Sequence, residues 1–173
     1  HYYRPLSVRN IPTAAVSPDS PLDGYKLVIA PALNVLTEPQ AKILAEFVRA
    51  GGHLVLTART GMKDDANALA PMRQPGWLRE AAGAEVEDYY ALLDPVAVQG
   101  EGWSGQSQIW GERLKVLDLE NTRVLARYEA GLGWLMGQPA ITVHTYGKGQ
   151  VYLVGAYLDA ASQDALFARI LGE

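Results

Sequence analysis

The sequence predicts an α/β fold, with a mostly parallel central sheet and antiparallel strand additions in its second half. Three observations carry this. Residues 25–30 are rich in Leu, Val and Ile without alternation, the pattern of a parallel strand covered on both faces. A helix with clear end signals follows, and His53–Thr57 is a second apolar run, so residues 25–57 make a strand, helix, strand unit. Beyond residue 84 short strand candidates alternate with turns, as antiparallel additions do.

In chain order, Tyr2, Tyr3, Leu6 and Val8 read as the last turns of an amphipathic helix whose start lies upstream, so a single domain over 1–173, cut from a longer chain, is expected. A short strand is expected over 13–16, then a turn-rich loop around Pro18, Pro21 and Asp23-Gly24. The 25–30 strand should be central, in a right-handed crossover with the next. Thr37 is a good N-cap, Glu38 and Pro39 suit a first turn, and Ile43, Leu44, Phe47 and Val48 recur at helical spacing before Gly51-Gly52. After Gly61, the residues Lys63, Asp64, Asp65 and Asn67 read as a polar loop, and 77–82 as a short helix closed by Gly83. Strands are expected at 85–91, 96–99, 107–110, 114–117 and 124–128. Gly147-Lys148-Gly149 between 140–146 and 150–154 is a hairpin turn where φ must become positive. Residues 159–171 close the chain as a helix with Leu166, Phe167, Ile170 and Leu171 on one face.

Composition limits the function. With 173 residues, 49% apolar and 20% charged, the chain suits one folded domain able to bury about 70% of its unfolded surface. Its net charge of -4 and scattered Lys and Arg give no basic stripe for a phosphate backbone, so nucleic acid is not an expected partner. No apolar run approaches the length of a membrane span, and no export signal opens the chain, so no membrane partner is expected. The absence of cysteine removes disulfides, thiolate nucleophiles and cysteine-ligated zinc, and is compatible with the cytoplasm, the expected location.

Chemical motifs are sparse. His1, His53 and His144 have no second ligand at metal spacing, so no metal or cofactor is expected, and His53 and His144 read as ordinary strand-end residues. Gly102-Trp103-Ser104-Gly105 fails the hydrolase elbow because Gln106 stands where glycine is required. Gly131, Gly133 and Gly137 miss the dinucleotide spacing and read as loop glycines. Alternation places Glu85 and Glu87 on one strand face, with Asp88 beside them; a solvated face accounts for these carboxylates at least as well as acid/base work. No catalytic residue is assigned. Tyr89, Tyr90, Trp103, Trp110 and Trp134 suit either a core or a surface for sugar stacking or subunit contact.

Several phrases together resemble the trimerisation domain of family 42 β-galactosidases: Tyr2-Tyr3-Arg4-Pro5-Leu6, the 25–33 strand ending Ala30-Pro31-Ala32-Leu33, Ala50-Gly51-Gly52, Thr57-Ala58-Arg59-Thr60-Gly61 with Lys63-Asp64, and Tyr146-Gly147-Lys148-Gly149. The resemblance spans nearly the whole chain. It implies a three-layer, flavodoxin-like, class I glutamine amidotransferase-like fold with helices on both sheet faces. It further implies a non-catalytic homotrimerisation domain, partnered by its own copies and by a catalytic barrel of the same chain. The parent enzyme would hydrolyse terminal non-reducing β-D-galactosides, and the barrel, absent from this chain, would hold both glutamates of a retaining glycosidase.

Against an amidotransferase site, the turn expected to carry the nucleophile reads Thr57-Ala58-Arg59-Thr60, and Gly155-Ala156-Tyr157-Leu158-Asp159 offers neither histidine nor glutamate. Arg59, Lys63, Asp64 and Asn67 lie in the loop matching the family's most recognisable polar stretch, at the carboxyl end of a strand, and are the candidate subunit or interdomain contact. A loop tied down by its own hydrogen bonds is the other reading of these four. A stand-alone amidotransferase-like hydrolase using a serine or threonine, and a carbohydrate-binding module using the second-half aromatics, are the alternative functions.

Overall fold

A computed structural model describes residues 1–130 and 133–172. The elements are α1 (Arg4–Ser7), β1 (Leu27–Ala30), α2 (Glu38–Arg49), β2 (His53–Thr57), a 3-10 turn (Gly76–Leu78), α3 (Arg79–Ala82), β3 (Ala84–Ala91), β4 (Val96–Gly100), β5 (Trp103–Val116), β6 (Thr122–Ala130), β7 (Pro139–Tyr146), β8 (Gly149–Val154), β9 (Ala156–Leu158) and α4 (Ala160–Leu171).

One nine-stranded sheet has the order β1-β2-β8-β7-β6-β4-β5-β3, with β9 beside β5. The strands β1, β2 and β8 run parallel, with Leu54 opposite Val151 and Leu56 opposite Leu153. From β8 onward the ladder is antiparallel. The α/β class holds, and the antiparallel additions supply the larger share of the sheet.

The period of two along β2 and β8 divides the interior. Leu54, Leu56, Val151 and Leu153 face one layer with Leu44 and Val48 of α2 and Leu78, Ala81 and Ala82. Val55, Tyr152 and Val154 face the other, with Tyr128, Ile141, Val143 and Leu166 of α4. Helices therefore cover both faces. The α2 start is a capping box: Thr37 Oγ1 accepts from the Gln40 amide, and the Gln40 side chain accepts from the Thr37 amide. Asp159 caps α4 by accepting from the Ala161 and Ser162 amides.

Four expectations differ from the structure. Residues 13–16 form no strand and lie exposed, because β-branched residues without a partner strand make no ladder. The strand β1 ends the sheet rather than lying at its centre; an apolar run reports covered faces, not neighbours on both edges. Residues 107–110 and 114–116 belong to one strand, β5, which runs through Gly111, Glu112 and Arg113 and ends before Leu117. At the N-terminus only Leu6 of the apolar set is buried in its core, while Tyr3 and Val8 are exposed. The three-residue β9 was not anticipated; it pairs Ser107 with Leu158 and Gly111 with Ala156.

Candidate functional site

The turn after β2 is held by short side-chain to backbone hydrogen bonds. Thr57 Oγ1 accepts the Ala32 amide at 2.7 Å, fastening the end of β1 to β2, and Thr60 Oγ1 donates to the Thr57 carbonyl at 2.7 Å. Between them Arg59 adopts φ +72°, a left-handed conformation unusual for a bulky residue. A strained position just after a central parallel strand is where α/β hydrolases display a nucleophile. Here it carries a guanidinium.

What holds Arg59 there is Glu112, in the middle of β5 and 1% exposed. Its Oε1 accepts the Arg59 amide at 2.8 Å and the Trp110 indole N–H at 3.1 Å. Burial pushes the Glu112 carboxyl up to about 7, against the lowering pull of those two donors and the Arg59 charge. The Arg59 guanidinium lies over the Trp110 ring, 5.2 Å from its centroid, and Trp110 stacks on Tyr89 at 5.4 Å. Below, the Tyr128 hydroxyl accepts the Glu112 amide and lies within bonding distance of the Glu112 and Gly155 carbonyls; burial raises its phenol.

Lys63, Asp64 and Asn67 gather separately. Lys63 Nζ donates to Asn67 Oδ1 at 2.8 Å, Asp64 Oδ1 accepts the Ala68 amide at 2.9 Å, and the Asn67 amide donates to the Asp64 carbonyl at 3.0 Å. The structure thus brings three of the four contact candidates together and joins Arg59 instead to Trp110, Tyr89 and Glu112. Sequence reasoning singled out Trp110 and Tyr89 only as aromatics and missed Glu112. A glutamate at a position that alternation makes inward-facing, between Trp110 and Leu114, was the available signal.

The remaining candidates resolve individually. Glu85 is buried and bridges Arg79 at 3.0 Å, with Arg73 at 3.9 Å, while Glu87 bridges Arg113 at 3.2 Å. A register shift between Val86 and Asp88 interrupts the alternation expected to align the two glutamates. Ser104 lies within β5, not on a sharp turn. Gly137 has φ +75° in a turn, Gly133 stands in open space, and Gly131 lies outside the described residues. Trp103 and Trp134 pack against the second core. His1 stacks on Tyr157. Among the described residues no group of three or more His, Asp or Glu could hold a metal ion, and no helix is long and apolar enough to cross a membrane.

His144, 4% exposed, is more than a strand-end residue. Its Nδ1 lies 2.8 Å from the Ala81 carbonyl and its Nε2 3.2 Å from Asp118 Oδ2, at the wall of an open depression of about 660 Å³ that also holds Trp77 and Arg79. Both ring nitrogens are committed, so neither is left to take a proton from a hydroxyl as a nucleophile's base must. The Asn121 side chain and amide, chiefly, hold the Asp118 carboxyl down at about 2. The sign follows: a carboxyl depressed in the folded state stabilises above its unfolded value and loses that stabilisation as pH falls toward 2. Asp118→Asn is expected to flatten the acid limb of stability between about pH 4 and pH 2; thermal midpoints that fall equally in both proteins would refute this.

A family model described as the β-galactosidase trimerisation domain matches residues 1–173. The chain is 37% identical over its full length to β-galactosidase BglY of Alicyclobacillus acidocaldarius, of which it covers 26%. It is 31% identical over 98% of its length to β-galactosidase Bga of Halorubrum lacusprofundi, again covering 26%. Among solved structures, Gan42B, a GH42 β-galactosidase from G. stearothermophilus, superposes with a TM-score of 0.90 at 29% identity, over 99% of this chain and 25% of that one. The chain therefore spans about a quarter of the length of the curated relatives it matches. An end-to-end match to the family model, backed by relatives more than 30% identical, places this chain in the β-galactosidase trimerisation domain family.

Proposed function

We propose that residues 1–173 form one non-catalytic domain that assembles a parent β-galactosidase into a homotrimer in the cytoplasm. The parent hydrolyses terminal non-reducing β-D-galactosides at a catalytic barrel elsewhere in the same polypeptide, and needs no cofactor from this domain. The observation that carries this reading is the family match over the whole chain, which spans only a quarter of its relatives. The carboxylates support it: a retaining glycosidase needs two facing one sugar about 5–5.5 Å apart, whereas Glu85 and Glu87 are each paired with arginine and Glu112 is buried beneath Arg59. The segment bearing exposed Arg59 and Asn67 and half-buried Lys63 and Asp64 serves as the contact with a neighbouring subunit.

Light scattering over a wide concentration range tests the reading directly. A trimer is the expected result, and a chain that stays monomeric at every concentration would count against self-association. The same pure sample is expected to leave a chromogenic galactoside untouched; saturable turnover would overturn the non-catalytic assignment.

A further inference from the structure

The contact segment divides in two when its bonds are followed. Lys63, Asp64 and Asn67 spend their polar groups on one another and on the loop backbone. The Arg59 side chain differs: it is exposed, and its guanidinium makes no hydrogen bond or ion pair with any described residue. It is nevertheless held in place. Its backbone is fixed at φ +72° by the bond from its amide to Glu112, and its guanidinium rests on Trp110, which the same carboxylate oxygen anchors through the indole N–H. Trp110 in turn lies nearly parallel to Tyr89, with 16° between the rings, and Tyr89 is 40% exposed.

Three elements thus present Arg, Trp and Tyr as one ordered surface stack, and these are the residue types that dominate binding energy at interfaces. A guanidinium with open donors in a planar fork selects a carboxylate bidentately. Because the fork is already positioned, little ordering remains to oppose binding. The chain has 19 acidic residues against 15 basic ones, so each copy offers surplus carboxylates to a cation on another.

We propose that the Arg59, Trp110 and Tyr89 stack is the centre of a contact with a second copy of this chain. Its guanidinium receives an exposed aspartate or glutamate of that copy, and the two rings are covered. The proposal rests on the self-association reading above and narrows it to one epitope. Glu112 is a positioning residue for it, and Lys63, Asp64 and Asn67 lie outside its centre.

The test compares wild type with Arg59→Gly, Arg59→Lys and Lys63→Ala by light scattering and sedimentation, with circular dichroism to follow folding. Glycine suits the left-handed φ, so Arg59→Gly removes the side chain while leaving the turn unstrained; Arg59→Lys keeps the charge but loses the planar fork should the glycine variant fail to fold. The expected result is association at least about ten-fold weaker in Arg59→Gly, an intermediate loss in Arg59→Lys, and none in Lys63→Ala. An associating wild type matched by both Arg59 variants would overturn the epitope and leave self-association standing. A wild type that is monomeric throughout would overturn both.

Discussion

Replacing Gly149 by alanine is expected to cost about 3–4 kcal/mol and to lower Tm by about 10 °C. A Cβ at this position would overlap the carbonyl oxygens of Gly52 and Val48, and neither can swing aside as a side chain would. Those carbonyls belong to the end of α2 and the step into β2, where the 147–149 turn docks: the Lys148 amide donates to the Arg49 carbonyl and the Gln150 amide to the Gly52 carbonyl. Gly147 adds a left-handed φ of +62° with Arg49 Cα only 2.7 Å from where its own Cβ would sit. The hairpin is therefore seated backbone to backbone on the helix end, at the point where the parallel strands β2 and β8 meet. Gly102→Ala separates strain from overlap, since Gly102 has φ +81° in open space and is expected to lose only about 1 kcal/mol. Thermal unfolding of the pair decides; equal losses would mean that the docking is loose.

That close approach also shows why parts of this fold were readable in advance. Gly147-Lys148-Gly149 is local turn chemistry, and so are the Thr37 cap and the Gly83 helix stop, which has φ +59° as expected. The α2 and β2 boundaries follow from such signals. Residues 13–16 went wrong for the opposite reason: a strand needs a partner, and no local pattern reveals that none lies alongside. The same applies to β5, where Gly111 and Glu112 look like a break. They are tolerated because Leu135 and the Tyr128 hydroxyl approach Gly111 closely, and because Glu112 finds donors on Arg59 and Trp110. The candidate site was half legible. Arg59 stood out by its place after a strand, but its stack is assembled from Trp110 and Tyr89, 51 and 30 positions away, across register that sequence spacing does not encode.

Glu112→Gln is expected to stabilise the protein by about 2–3 kcal/mol at pH 8 and to change it little at pH 5. Because the folded-state value near 7 exceeds the ordinary carboxyl value of 4.5, the native state binds a proton that the unfolded chain has released. Stability therefore falls as pH rises across that window, and the cost is complete once Glu112 is ionised. Glutamine removes the ionisation while keeping Oε1, the atom that accepts both the Arg59 amide and the Trp110 indole. Glu112→Ala, in contrast, leaves both donors without an acceptor in a buried site and opens a cavity, a loss of about 2–4 kcal/mol at either pH. Thermal midpoints of the three proteins at pH 5 and pH 8 read this out; a glutamine variant matching wild type at both would show that the carboxyl ionises without penalty. The two substitutions also separate stability from assembly. If Glu112 acts on the Arg59 stack only by fixing its position, the glutamine variant should associate like wild type despite its higher Tm, whereas the alanine variant, with Arg59 and Trp110 released, should associate less at concentrations where it is fully folded.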